Sequence, residues 1–179
     1  MTRPVIIFDY DSQWPVIYEE EKQRILTVGG DKVLCVEHIG STSVVGLGAK
    51  PIIDMMVGVD GLVSSNDLLP MLRIIGYDDV TPEPDDPEWF YCLSKVYRGE
   101  KVRLQNFHIH LIMFGSKTWE RHILFRDFLR THPGAARKYD RLKREMAARY
   151  SSDREAYTNS KTQFITSIVI QACKDQGRG

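Results

Sequence analysis

The chain has 179 residues, 42% hydrophobic and 27% charged, with 24 Lys plus Arg against 24 Asp plus Glu. That length suits one domain with a proper core, and a zero net charge lacks the strongly basic footprint of a dedicated nucleic-acid-binding module. No apolar run approaches the roughly 18–20 residues that span a bilayer, and Asp9 and Asp11 interrupt the apolar run at 5–8 too early for a signal peptide, so a cytoplasmic protein without a membrane partner is expected.

Cys35, Cys92 and Cys173 lie far apart, without the paired spacing that zinc or redox motifs need. Cys35 and Cys173 are expected to be small core fillers. The charge is unevenly spread. Residues 1–116 carry 17 acids against 10 Lys or Arg, and residues 117–154 carry 11 Lys or Arg against 5 acids. A basic helical region beside an acidic one can hold an anionic substrate, although most such charges are solvated helix faces.

In chain order, residues 5–8 are a short strand candidate, and Asp9-Tyr-Asp-Ser a turn before a helix with Ser12 as N-cap and Pro15 in its tolerant first turn. Trp14, Ile17, Tyr18, Ile25 and Val28 form the stripe of that helix, closed by Gly29-Gly30. Residues 33–39 and 52–59 read as core strands, the second opened by Pro51. Residues 62–75 read as a helix stopped by Gly76. Three prolines in 81–88 predict an exposed irregular loop in the position of a lid. Strands are expected at 89–96 and 102–114.

From Lys117 the hydrophobic period changes from two to about 3.6. Helices are predicted at 119–131, ending before Pro133-Gly134, and at 135–150, with Tyr139, Leu142, Met146 and Tyr150 on one stripe. A last helix, opened by a Ser152/Glu155 capping box, runs to about Cys173, and the tail at 176–179 should be loose. The whole is a single α+β domain over 1–179: a sheet-containing core over 1–116, helices packed on one mixed sheet, and a helical C-terminal third over 117–175.

The stretch 37–59 carries the chemistry. Gly40-Ser41-Thr42-Ser43 combines close backbone approach with hydroxyls, which phosphate oxygens require, and Gly46 and Gly48 extend that access. It matches neither a P-loop nor a dinucleotide fingerprint. Asp54 then stands inside an apolar strand, where a carboxylate needs a cation, a metal or hydrogen-bond donors. Alternation puts Asp54, Met56 and Gly58 on one face, so Met56 occupies the position where a second metal-binding acid would share it.

His108 and His110 also share a strand face. They can present imidazoles to a metal with Asp54, or simply hydrogen-bond and stack. Arg126 and Arg130, four apart on a helix, project together and can grip a phosphate, with Asp127 as a local alternative partner. In the last helix Lys161 falls on the apolar stripe of Tyr157, Phe164, Ile168 and Ala172; it either snorkels or meets an anion.

These residues resemble the GrpB family, within the polymerase-β-like nucleotidyltransferase superfamily. The resemblance rests on Trp14-Pro15, on His38-Ile-Gly-Ser-Thr-Ser-Val-Val-Gly-Leu with Ala49-Lys-Pro-Ile-Ile-Asp54, on His108-x-His110, on Phe125-Arg-Asp-Phe-Leu-Arg130 and on Tyr157-x-x-x-Lys161. It implies a nucleotidyltransferase-like mixed sheet, a Gly-Ser turn that binds nucleotide phosphates, and strand acids that hold Mg²⁺. It also implies that a related domain occurs fused behind dephospho-CoA kinase in some bacteria.

Two functions are expected on this basis. In the first, the chain moves a nucleoside monophosphate from an NTP to a small acceptor. Asp54, with His110 and His108, would hold Mg²⁺ or Mn²⁺, with Zn²⁺ open to the histidines. Gly40, Ser41 and Thr42 would bind the triphosphate, and Lys50, Arg126, Arg130 and Lys161 would neutralise it. In the second, the same scaffold is a non-catalytic nucleotide- or coenzyme-binding or chaperone-like module. The partner in both is a nucleotide or another phosphate-bearing small molecule.

Overall fold

The apolar run at 52–59 becomes a strand covered on both faces, and the other elements are arranged around it. A computed structural model describes residues 4–83, 85–97 and 106–177. Its elements are α1 (Trp14–Gly29), β1 (Cys35–Ile39), β2 (Ile52–Val59), α2 (Leu62–Ile74), β3 (Asp79–Pro82), β4 (Trp89–Val96), β5 (Asn106–Met113), α3 (Lys117–Thr131), α4 (Pro133–Arg149), α5 (Arg154–Asn159) and α6 (Thr162–Asp175). The architecture is the expected mixed α+β, with one five-stranded sheet in the order β1-β2-β5-β4-β3.

β2 runs parallel to β5 and antiparallel to β1, while β4 lies antiparallel to both β5 and β3. Period-two alternation then divides the core. Ile53, Met55, Val57 and Val59 face α1 and α2, packing with Trp14, Ile25, Leu68 and Leu72. Met56 points to the opposite face, against Ile39, Ile112 and Trp119 of α3. Every residue of β2 is buried except Asp54, which is half-buried.

Several local expectations are corrected. Residues 5–8 form no sheet strand. The segment is extended and tied down by Val5 N–H to Ser151 C=O (2.8 Å) and by one bridge between Phe8 and Ala49. Ser12 does not cap α1, which starts after Gln13; Asp11 accepts from Gln13 N–H instead (2.9 Å). Thr81 and Pro82 belong to β3, where a proline is tolerated because it ends an edge strand.

Residues 102–105 of the expected strand lie outside the described residues. Pro133 opens α4 because a first-turn proline loses no helical hydrogen bond. Asp153, not Ser152, caps α5 by accepting from Ala156 N–H (2.9 Å). The single last helix is two, broken at Ser160-Lys161. Among the described residues no helix is long and apolar enough to cross a membrane.

One buried ionic cluster ties α1 to Tyr77, after α2, and to Lys95 of β4. The Glu21 carboxylate, 1% exposed, accepts from Tyr77 Oη (3.0 Å), Lys95 Nζ (2.6 Å) and Arg24 Nη1 (3.3 Å). Burial and the adjacent Glu21 charge push the Tyr77 phenol well above its ordinary value. Removing one partner of such a set strands the others. Glu21→Ala should therefore lose about 3–5 kcal/mol in urea denaturation, and Glu21→Gln, which keeps an acceptor, should lose less. A loss below about 1 kcal/mol in Glu21→Ala, the range of exposed pairs, would contradict this.

Candidate functional site

Between the Met56 face of the sheet and the C-terminal helices lies a cavity of about 390 Å³. Its floor is the chain from Ile39 to Asp54. After β1, Gly40 takes φ +69°, a backbone conformation that a side chain would strain, and a Cβ there would sit 2.6 Å from Asp54 Oδ2. The antiparallel register that pairs Ile39 with Asp54 is what brings the glycine turn to the carboxylate. Ser41–Ser43 then form one 3₁₀ turn, with Ser43 Oγ donating to Gly40 C=O (2.6 Å).

The turn is held from behind. Thr42 Oγ1 donates to Ile52 C=O (3.2 Å) and so accepts from His38 Nε2–H (3.0 Å), a tautomer assigned from this network. The His38 ring stacks on Tyr18 with centroids 4.5 Å apart. Burial, with Arg130 and Arg126 nearby, pushes the His38 pKa down to about 3 against the opposing pull of Asp54, so this histidine is neutral.

Arg126 and Arg130 do project together from α3, but onto protein. Arg126 Nη1 reaches Glu37 (2.5 Å) and His38 C=O (3.1 Å), and its Nε reaches Asp127 (2.7 Å). Arg130 donates twice to Ser43 C=O (3.1 and 2.9 Å). Arg126 lines one wall of the cavity; Arg130 does not line it and braces the turn from outside.

Gly40, Ser41, Thr42, Lys50, Asp54, His110, Arg126 and Lys161 all line the cavity, while His108 and Arg130 do not. The register places Asp54 beside His108 and Met56 beside His110. Both imidazoles approach the same oxygen, Asp54 Oδ1, His108 at 3.4 Å and His110 at 3.7 Å. Burial alone would raise the Asp54 pKa; hydrogen bonding and charge from the two histidines override it and hold the carboxyl well below the usual range. Burial likewise works against charge on His110, and Asp54 with Cys92 opposite on β4 reverses that. His110 Nδ1 nevertheless has no hydrogen-bond partner among the described residues, and neither has the buried Trp89 Nε1 beside it. Trp89 stands edge-on to both His110 (5.0 Å) and His122 (5.7 Å).

The donor set does not fit the two-acid divalent-metal centre that the resemblance implies. It offers one carboxylate, whose Oδ1 both histidines already approach. Met56 at the second acid's position is fully buried among apolar side chains. Among the described residues no group of three or more His, Cys, Asp or Glu is placed to hold a metal ion.

Two lysines of the cavity lining sit around one tyrosine ring. Lys161 sits at the break between α5 and α6, its Nζ 4.2 Å from the centre of the Tyr157 ring, and Lys50 Nζ lies 5.7 Å from the same ring. Among the described residues neither lysine has a carboxylate within 4.0 Å. Burial and then the Lys50 charge push the Lys161 amine down to about 8, with Asp54 opposing. Burial also lowers Lys50.

A third lysine, Lys143 of α4, joins them and escapes the sequence reading. Its signal was present: it lies four residues from both Tyr139 and Ala147, which are buried, so it occupies an apolar stripe as Lys161 does. Trp89, Phe125, Tyr139 and Tyr157 supply aromatic walls. Such a cavity can hold an anion at its lysine end and a flat apolar group beside Trp89 and Phe125.

The GrpB family profile matches residues 4–171, and the chain belongs to that family. The crystal structure of GrpB from Enterococcus faecalis superposes with a TM-score of 0.80 at 34% identity, covering 96% of this chain and 99% of that one. YqkA of Bacillus subtilis is 32% identical over 91% of this chain, which spans only 46% of YqkA's length. A dephospho-CoA kinase of Mycolicibacterium paratuberculosis is 26% identical over 94% of this chain and 46% of its own length. A weaker overlap, TM-score 0.46 at 11% identity, covers 78% of this chain and 40% of Cid1 in complex with its short product ApU, too slight to imply a shared activity.

The neutrality of His38 predicts a pH dependence. Between pH 6.5 and about 3 the unfolded chain takes up a proton that the folded histidine does not, so stability falls as pH drops through that window. His38→Gln, which retains a donor for Thr42, should lose less stability than wild type over the same window, by on the order of a few kcal/mol in urea titrations. Equal acid sensitivity of the two proteins would show that His38 is not held neutral.

Proposed function

We propose that this chain binds a nucleotide or a related phosphate-bearing small molecule in the cavity. The phosphates lie against Lys50, Lys161 and the Gly40–Thr42 turn, and the base lies against Trp89 and Phe125. The observation that carries this reading is the pair Lys50 and Lys161: two partly buried ammonium groups around one tyrosine ring, with no carboxylate among the described residues in pairing distance. Buried charge requires a counter-charge, and a phosphate ligand would supply it. The similar segment in a protein named dephospho-CoA kinase adds a coenzyme-type nucleotide to the ligands worth testing.

A second reading makes the bound nucleotide a donor of its nucleoside monophosphate to a small acceptor. Asp54 favours it, as a carboxylate held ionised in the same cavity as the lysines. The buried Met56, at the position of a second metal-binding acid, weighs against it. Binding without turnover is therefore the preferred reading.

The test is a thermal-shift and calorimetric titration with ATP, coenzyme A and tripolyphosphate, each with Mg²⁺, Mn²⁺ or Zn²⁺ added or chelated. A ligand of this site present at a hundredfold its Kd should stabilise the fold by about 2.7 kcal/mol, several degrees in Tm for a chain of this size. Lys50→Met and Lys161→Met should each weaken binding roughly 10- to 100-fold, the range of a lost charge-assisted hydrogen bond. Metal-dependent pyrophosphate release that disappears in Asp54→Ala would move the assignment to the second reading. No stabilisation by any of the three ligands would overturn both.

A further inference from the structure

Lys143 is the most deeply placed cation of the cavity, only 2% exposed. Its Nζ donates to Ser41 Oγ (2.9 Å) at the start of the turn and to Gly48 C=O, seven residues further along it. The Tyr139 ring, one helical turn earlier, lies 5.0 Å from Nζ. An ammonium has three donors, so one N–H remains beyond these two bonds. Ser41 Oγ, having accepted from Nζ, keeps its own proton to donate to an oxygen of a ligand.

We propose that Lys143 is a positioning residue for the phosphate ligand: it orients the Ser41 hydroxyl as a donor, clamps both ends of the glycine turn, and keeps one N–H for a phosphate oxygen. This rests on the phosphate-ligand reading above and deepens it with a consequence, since a ligand that needs the ammonium draws a proton onto the protein as it binds.

The charges around Lys143 are Asp140 and Arg144 on α4 and Lys161 at the α5–α6 break, while the turn meets it with the neutral Ser41 and Gly48. Burial is the largest influence on the amine. Lys161 and Arg144 add to it, Asp140 opposes, and the outcome is a pKa of about 7. Below that value the free protein already carries the charge, and binding draws no proton onto Lys143. Above it the ligand must recharge the amine, so affinity falls as pH rises, on the order of tenfold per unit until the pKa of the complex is reached. The lowered Lys161 adds a second, later loss above pH 8.

The experiment is calorimetric titration of tripolyphosphate into the full chain from pH 6 to 9, in paired buffers of different ionisation enthalpy. Wild type should take up a proton near neutral pH and lose affinity on the alkaline side. Lys143→Arg should keep the affinity and lose that uptake, because a guanidinium stays charged throughout. Lys143→Met should bind roughly tenfold more weakly or worse at pH 6 and also lose the uptake. If Lys143→Met does not fold, Lys143→Arg alone decides. Proton uptake and a pH profile in Lys143→Arg equal to wild type would overturn the proposal while leaving the ligand reading intact. Wild type that fails to bind tripolyphosphate at pH 6 would overturn both.

Discussion

Putting lysine ammonium groups into a folded interior without carboxylates is unfavourable unless something else meets their charge. Among the described residues, the C-terminal helices do so at Lys143 and Lys161, and Lys50 joins them from the turn before β2. Their mutual repulsion is offset only at a distance by Asp54 and Asp140. The phosphate ligand proposed above would meet that charge directly.

The sheet supplies the other half. Antiparallel pairing of β1 with β2 sets Gly40 against Asp54, and parallel pairing of β2 with β5 sets both histidines on the same carboxylate. α3 then immobilises the turn through its arginines, and α4 through Lys143. Polar groups of the turn therefore face a cavity whose walls are fixed by interactions on its outer side. Preorganisation of this kind lowers the ordering cost that a small ligand must overcome.

Much of this was legible in the sequence, for physical reasons that differ between residues. β2 and β4 are readable because each apolar run is bounded by proline or turn residues. Asp54 stands out because alternation leaves a carboxylate in a run that is otherwise buried. Arg126 and Arg130 are legible only in part: i, i+4 spacing shows that they project together and Asp127 is a readable local partner, but spacing says nothing of the distant Glu37, His38 and Ser43 that they also meet. An aspartate, of equal capping strength, stands beside both Ser12 and Ser152, so sequence alone does not choose between them; Asp153 caps α5, whereas α1 has no side-chain cap and Asp11 bonds only the N–H of Gln13 before it. Lys143 escaped because its stripe is weakly apolar, while Lys161 was caught because Tyr157, Phe164 and Ile168 frame it.

On the proposed reading, the cavity lysines titrate below the ordinary lysine range until a phosphate ligand binds. The most direct measurement is NMR titration of the lysine side-chain ε-groups in the free protein, with Lys50→Met, Lys143→Met and Lys161→Met used for assignment. Lys143 should titrate near pH 7 and Lys161 near pH 8, each moving upward when tripolyphosphate is added. All lysines titrating near the ordinary value of about 10.4 would contradict the account.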